Sequence, residues 1–194
     1  DQDLIFLEKY KWQVNLKGGQ TALIRPLYPS DEFEYRNFFY SLKEETIFRR
    51  FFYKMSLFSH EVVQKDWAEI DYHNNMSLTG RVQRGGHYEV MAIGSYFLGE
   101  DGYAEVAFVV RDDFQGEGVA SHMLEFLEQI ARENSIVGFV ASVLDENQTM
   151  LHVFQKRYPQ AQLTQDPSGG ILVTMPFDKS GDVSQTVPGQ KITD

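Results

Sequence analysis

Two closely spaced glycines, Gly116 and Gly118, lie between a strand-like and a helix-like stretch of the chain. Residues 104–110 form a β-branched and aromatic run of strand length. After the glycines the apolar residues recur at helical spacing, at Val119, Met123, Leu124, Phe126, Leu127 and Ile130. The first N–H groups of a helix lack partners, and glycine lets a phosphate approach the backbone closely. The stretch therefore predicts a cradle for a pyrophosphate.

The glycines alone do not decide between a cradle and a plain turn, because turns also use glycine for its positive φ. Common nucleotide-binding motifs do not match. The stretch has no Gly-Lys-Ser/Thr sequence, and its spacing is not the dinucleotide pattern G-x-G-x-x-G. At this point both interpretations stay open.

Composition limits the class of protein. With 194 residues, 42% hydrophobic and 14% aromatic, the chain suits one folded domain with a sizeable core. The absence of cysteine excludes disulfides, thiolate metal sites and cysteine nucleophiles. No apolar run is long enough to cross a membrane, and no basic leader precedes an apolar run. We therefore expect a soluble, cytoplasmic protein with no membrane partner.

The net charge and the spacing of the histidines limit which classes of partner and metal site we expect. A net charge of −10 disfavours nucleic-acid binding, which needs clustered Lys and Arg. It suits a cationic partner such as a lysine-bearing surface or a polyamine, and alternatively it serves only solubility. The five histidines show no metal-ligand spacing, so we expect no metal site.

The remaining periodicity predicts a mixed α+β domain. The predicted strands are residues 11–16, 21–27, 75–83, 88–98, 104–110, 136–143, 161–164 and 170–177. The predicted helices are residues 30–41, 43–54, one from Ser59, one from Val119, and 146–156. We expect residues 1–9 to be an N-terminal extension and residues 10–178 to be the domain. Residues 179–194 are polar, with little to bury, and predict a loose, flexible tail.

Gln115, Gly118 and Ala120 fill the fixed positions of the motif Gln/Arg-x-x-Gly-x-Gly/Ala, and Val110 stands where the motif has an apolar strand end. This is the acyl-CoA-binding motif of the GNAT superfamily of N-acetyltransferases, which the chain resembles. Further blocks are similar to the protein lysine acetyltransferase (Pat-like) branch: TALIRPLYPSDE, FFYSLKEETIFRRFF, EIDYHNNMSL, AEVAFVVRDDFQGEGVA and VLDENQTMLHVFQKR. The resemblance implies the GNAT fold, a central, mostly antiparallel twisted sheet of six to seven strands flanked by helices.

The resemblance also implies acetyl-CoA as co-substrate and an amine as acceptor. The amides at the helix start would hold the pyrophosphate: Gln115, Gly116, Glu117, Gly118, Val119 and Ala120. Backbone groups of Phe108, Val109 and Val110 would pair with the pantetheine arm and position the thioester. Asn147 matches an asparagine that contacts the cofactor, and its alternative is a simple helix cap.

Glu105 matches the general base of the family. A lysine amine, with a pKa of about 10.4, is protonated at neutral pH and must lose a proton before it attacks a thioester. On a strand, Glu105 shares a face with Tyr103, Ala107 and Val109, where partial burial suits a proton acceptor. The alternative is an exposed carboxylate at a strand end.

One position departs from the family. Phe154 stands where many GNAT enzymes have a tyrosine that protonates the departing thiolate, so solvent or the nearby Tyr158 would have to do so. We therefore predict an N-acetyltransferase that acts by direct attack of an amine, with a protein lysine, for example on an acyl-CoA synthetase, as the acceptor. A small-molecule amine acetyltransferase and a non-catalytic acyl-CoA-sensing domain are the alternatives.

Overall fold

The computed structural model describes residues 8–42, 74–178 and 189–191 of the chain. In this described part nine strands form one sheet: β1 (Trp12–Asn15), β2 (Thr21–Pro26), β3 (Asn75–Arg84), β4 (His87–Leu98), β5 (Tyr103–Val110), β6 (Gly138–Val143), β7 (Gln162–Gln165), β8 (Ile171–Pro176) and β9 (Gly189–Lys191). The helices there are α1 (Glu32–Ser41), α2 (Val119–Glu133) and α3 (Gln148–Arg157). Short 3-10 turns, Pro29–Asp31 and Asp112–Phe114, come shortly before α1 and α2.

The sheet has one parallel pair. Its strand order is β7-β8-β6-β5-β4-β3-β2-β1-β9, and every neighbouring pair is antiparallel except β5 and β6. Parallel neighbours need a crossover connection, and α2 supplies it between β5 and β6. The sequence of strand, glycine turn and helix is therefore the crossover unit of the fold.

Both faces of the sheet carry apolar clusters. On one face, residues of α2 and α3 share a cluster with every second residue of β5: Ala104, Val106, Phe108 and Val110. On the other face, α1 buries Phe38 against Val90, Ile93 and Val109. Successive strand residues point to opposite faces, so β5 is packed from both sides. We call these the α2 face and the α1 face.

Most predicted elements are confirmed to within a few residues, and the mixed, mostly antiparallel GNAT-type sheet is confirmed with them. The helices predicted over residues 43–54 and from Ser59 lie outside the described residues. The sheet has nine strands in the described part, more than the six to seven expected. One of the additional strands is β9, in a segment that we predicted to be loose.

β9 pairs with the edge strand β1 through Trp12↔Lys191, Gln13↔Gln190 and Val14↔Gly189. An edge strand presents unpaired main-chain groups that any extended segment can meet. Such pairing needs no apolar pattern in the added strand, so the polar sequence of this segment gave no strand signal.

A buried ionic cluster joins α1 to the sheet. The Asp31 carboxylate accepts hydrogen bonds from Arg25 at 2.7 and 3.0 Å and from the Tyr28 N–H at 2.7 Å. Arg81 Nη2 lies 3.3 Å from Asp31 Oδ2, and Arg81 also pairs with Glu34. Burial alone would raise the pKa of Asp31, but the hydrogen bonds from Arg25 and Tyr28 outweigh burial and lower that pKa. The cluster thus fixes the start of α1.

We predict that Asp31→Asn lowers the free energy of unfolding at pH 7 by about 3 kcal/mol, because it leaves buried arginine charge without its partner. The native state holds Asp31 ionised, so its contribution is present above the ordinary carboxyl pKa of 3.8 and is lost as pH falls below that value. Urea unfolding at pH 7 and pH 3 tests this, with Glu32→Gln in the half-exposed pair with Arg36 as control. An equal difference between wild type and Asp31→Asn at both pH values would contradict the assignment.

Candidate functional site

The parallel pair β5 and β6 separates part-way along β5. Their register consists of Tyr103↔Gly138, Ala104↔Phe139 and Glu105↔Val140, although β5 continues to Val110. Beyond Val140, β6 pairs only with β8 on its other side in the described part. The two strands therefore leave a gap that begins at Glu105. A break in a ladder exposes main-chain groups that need partners.

The alternation of the ladder shows which groups of β5 face this gap. The Arg111 N–H donates to the Met91 carbonyl oxygen at 2.8 Å, so the odd-numbered residues of β5 bond β4. Phe108 and Val110 direct their N–H and C=O groups to the gap. Val109 bonds β4, and its side chain packs in the cluster of the α1 face. The geometry thus favours Phe108 and Val110, and not Val109, for main-chain contact with a ligand in the gap.

Glu105 lies at the closed end of the gap. It pairs with Phe97 of β4 and with Val140 of β6, and it is half-buried. Its side chain shares the α1 face with Ala107 and Val109, as predicted. The α2 face lies on the other side of the same strand. The Glu105 side chain therefore leaves β5 on the α1 face, at the closed end of the gap.

The glycine turn opens the other end of the gap. Gly116 has φ 82° and Gly118 has φ 90°, and both values lie in the left-handed region that favours glycine. A Cβ at Gly116 would project into open space, so no side chain of the described residues covers the turn there. Within the same residues, the amides of residues 116–120 donate to no acceptor. Together with the helix dipole, these amides can hold an anion.

Gln115 organises the turn. Its main-chain N–H bonds the Asp112 carbonyl at 3.3 Å, so this amide is already used. Its side-chain Nε2 donates to the Val110 carbonyl at 3.3 Å and to the Asp112 carboxylate at 3.1 Å. The side chain therefore joins the end of β5 to the loop, and a direct contact with a ligand stays a prediction.

Asn147 is the N-cap of α3. Its Oδ1 accepts a hydrogen bond from the Met150 N–H at 3.3 Å, which is the capping role that we considered as the alternative. A contact between Asn147 and a cofactor stays a prediction. Phe154, on the same helix, is buried and lies 6.2 Å from Phe108 between ring centroids.

Sequence reasoning missed the β1–β2 turn as a part of this site. The Lys17 N–H donates to the Glu117 carbonyl at 3.2 Å, and the Gly18 N–H donates to the Glu117 carboxylate at 2.5 Å. The Lys17 side chain also runs beside Gly118. Gly18 and Glu117 are 99 positions apart in sequence, and no local pattern relates them.

Known proteins share this arrangement of sequence and fold. The sequence profile of the Acetyltransferase (GNAT) family matches residues 39–158. The chain belongs to the GNAT acetyltransferase family. It is 30% identical over 124 residues to acetyltransferase PA5475 of Pseudomonas aeruginosa, a match that covers 63% of this chain and 66% of that relative. The chain thus spans just under two thirds of the length of this curated relative.

Two solved structures are similar. The GNAT domain of S. lividans PAT is 31% identical with a TM-score of 0.71, and the match covers 87% of this chain and 96% of that domain. RimL, a ribosomal L7/L12 alpha-N-protein acetyltransferase solved in complex with coenzyme A, is 17% identical with a TM-score of 0.61. The match to RimL covers 80% of this chain and 92% of that chain, and it supports the fold.

GNAT enzymes take their acetyl group from acetyl-CoA, and this site fits that molecule. The open turn at Gly116 and the amides of residues 116–120 suit a pyrophosphate. The groups that Phe108 and Val110 direct to the gap suit the amide groups of a pantetheine arm. No group of three or more potential metal-ligating side chains occurs among the described residues. None of the helices described is long and apolar enough to span a membrane.

Tyr158, the residue considered as a substitute for the missing tyrosine of the family, is bound to α2. Its side chain is buried, and its hydroxyl donates to Glu128 of α2. Burial and the Glu128 carboxylate raise the pKa of Tyr158 well above its ordinary value. Glu128 also bonds Arg157 at 3.3 Å and Arg132 at 3.0 Å. Tyr158 therefore belongs to a polar cluster that holds α3 to α2, and a role as general acid stays a hypothesis.

We predict that Tyr158→Phe lowers the free energy of unfolding by about 2 kcal/mol, because it removes a buried hydrogen bond to a charged group. Since the hydroxyl is already bound to Glu128 of α2, we expect kcat to stay within about twofold of wild type. Urea unfolding and steady-state kinetics well below the unfolding temperature measure the two effects. A loss of kcat of about 10²-fold with an unchanged stability would instead support a general acid.

Proposed function

We propose that this domain transfers an acetyl group from acetyl-CoA to a protein lysine, with Glu105 as the general base. The observation that carries the proposal is the position of Glu105 at the closed end of the gap between β5 and β6. In this proposal the cradle at the start of α2 holds the cofactor, and the acceptor lysine reaches Glu105 from the side of the sheet on which its side chain lies. The acetyl-CoA dependence follows from membership of the family.

The chemistry follows from these positions. Acetyl-CoA supplies the acetyl group as a thioester when it is bound. Glu105 accepts a proton from the ammonium group of the acceptor lysine, directly or through one water, and thereby makes its nitrogen nucleophilic. An N–H of β5 aimed at the gap stabilises negative charge that develops on the acyl oxygen. The nitrogen–carbon bond forms first, and the carbon–sulfur bond then breaks as the acyl oxygen regains its double bond. The nitrogen loses its second proton to solvent, and the departing thiolate takes a proton from solvent.

A protein lysine is the acceptor that we favour. The chain resembles the GNAT domain of S. lividans PAT at 31% identity over most of its length. Its net charge of −10 favours the approach of a cationic surface. An acyl-CoA synthetase is the protein substrate that we propose to try first. A cytoplasmic location, where such enzymes and acetyl-CoA occur together, is a part of the same proposal.

A non-catalytic acyl-CoA sensor is the second candidate. The observation that favours it is Phe154, which replaces the tyrosine of many GNAT enzymes with a buried ring beside Phe108. A sensor would need the cradle and the gap, and it would not need Glu105. Turnover in the wild type therefore separates the two candidates.

We predict that Glu105→Gln lowers acetyl transfer by about 10²-fold or more, because an amide cannot accept the proton. Mass spectrometry would follow transfer from acetyl-CoA to an acyl-CoA synthetase and, separately, to polyamines. The exposed Glu100→Gln makes the same change in charge in the β4–β5 turn and should behave as wild type.

Three outcomes would contradict the proposal or a part of it. Unchanged turnover of Glu105→Gln would exclude its role as base. Tight acetyl-CoA binding by the wild type without transfer to any acceptor would favour the sensor. Transfer to polyamines but to no protein would leave Glu105 as the base, and it would show that the acceptor is a small amine.

A further inference from the structure

The loop that carries the cradle is clasped by the turn between β1 and β2. Glu117 lies between the two glycines of the loop, and its carboxylate accepts the Gly18 N–H at 2.5 Å. Its carbonyl oxygen accepts the Lys17 N–H at 3.2 Å. Both polar ends of one residue are therefore bound by two consecutive amides of the turn. We call these two hydrogen bonds the clasp.

The clasp depends on the absence of a side chain at Gly18. A Cβ there would lie 2.9 Å from Glu117 Oε1 and 3.1 Å from Oε2, which is closer than ordinary contact. Gly18 does not have a positive φ of the kind found at Gly19. Glycine is needed at this position because a side chain would collide with Glu117, and not because of the backbone conformation. The carboxylate thus packs directly on the backbone of the turn.

A carboxylate beside this loop is unexpected on electrostatic grounds. Glu117 places a negative charge in the segment whose amides face the pyrophosphate, and like charges repel. Asp112 and Asp113 precede the same loop, and Asp113 is paired with Arg111. Within the described residues, Glu117 has no such cation, and two backbone amides hold it instead.

The clasp also acts between the two glycines of the cradle. Gly116 and Gly118 flank Glu117, and glycine has the largest conformational freedom to lose. A loop that is ordered only when a ligand binds lowers the affinity by the cost of its ordering. Fixing the residue between the glycines fixes the direction of the neighbouring amides.

We propose that Glu117 is a positioning residue, which holds the cradle amides in their binding direction through Gly18 and Lys17. The β1–β2 turn is then a part of the cofactor site. This inference rests on the proposed function, in that acetyl-CoA is taken to bind at this loop. It assigns to the Glu117 side chain a role that does not include contact with the cofactor.

Calorimetric titration of the full chain with coenzyme A tests the proposal, because two explanations of Glu117 predict opposite changes in the Kd. If Glu117 were merely a nearby charge, Glu117→Ala would bind coenzyme A more tightly. The clasp predicts the reverse, a Kd raised about tenfold, because the amides lose their direction. Glu117→Gln keeps an oxygen acceptor for the Gly18 N–H, and should bind within about twofold of wild type.

Gly18→Ala is an independent probe, because it leaves the charge in place and displaces the carboxylate. It should weaken binding by a factor similar to that of Glu117→Ala. The double variant should be no weaker than the weaker single variant, since both changes break one contact. Glu100→Ala removes an exposed carboxylate in the β4–β5 turn, at the opposite end of β5 from the loop, and should leave the Kd unchanged. Circular dichroism melting shows that each variant is folded at the temperature of the titration.

The outcomes separate the clasp from the proposed function. Equal or tighter binding by Glu117→Ala, or equal binding by Gly18→Ala, would overturn the clasp while leaving the cofactor site in place. The clasp would also be overturned if the double variant raised the Kd by the product of the two single-variant factors. Failure of the wild type to bind coenzyme A would overturn the proposed function and the clasp together.

Discussion

The separation of β5 from β6 after Glu105 is the constraint on which the site depends. A sheet is stable because each strand satisfies the main-chain groups of its neighbours, and an interior strand that loses one neighbour leaves groups unpaired. β5 keeps β4 on one side along its whole length, whereas β6 pairs with it only as far as Glu105↔Val140. Phe108 and Val110 therefore face a gap that an extended ligand with amide groups can fill.

Packing on both sides of the gap keeps it open. On the α2 face, Glu128 joins α2 to α3 through Tyr158 and Arg157, and it also bonds Arg132. β6 continues beyond the gap in partnership with β8, which holds it away from β5. On the α1 face, the cluster around Asp31 fixes α1 against the sheet. The elements that border the gap are thus held by contacts that do not involve its ligand.

The order of elements and the cradle could be predicted from the sequence because both depend on local patterns. Strand periodicity, paired glycines and the apolar stripe of α2 each lie within about 20 residues. Contacts between distant residues could not be predicted in this way. Gly94 leaves room for the ring of Phe108, since a Cβ at position 94 would lie 2.9 Å from that ring. No sequence pattern around either residue predicts this contact.

The same reason accounts for the contacts that the sequence patterns missed. Tyr158 lies close in sequence to the expected acid position, yet its hydroxyl is bound to Glu128 of another helix. The pairing of β9 with β1 and the contact of Gly18 with Glu117 join segments more than 90 residues apart. In each case the two partners meet only in the folded protein, and no local sequence pattern predicts the contact.

Amide hydrogen exchange along β5, measured by NMR with and without coenzyme A, tests the central claim most directly. In the free protein the amides of Ala107 and Val109, which bond β4, should exchange slowly, and those of Phe108 and Val110 should exchange fast. Coenzyme A should slow exchange at Phe108 and Val110 selectively. Equal protection of all four amides in the free protein, or no change at Phe108 and Val110 in the complex, would contradict a ligand bound in the gap.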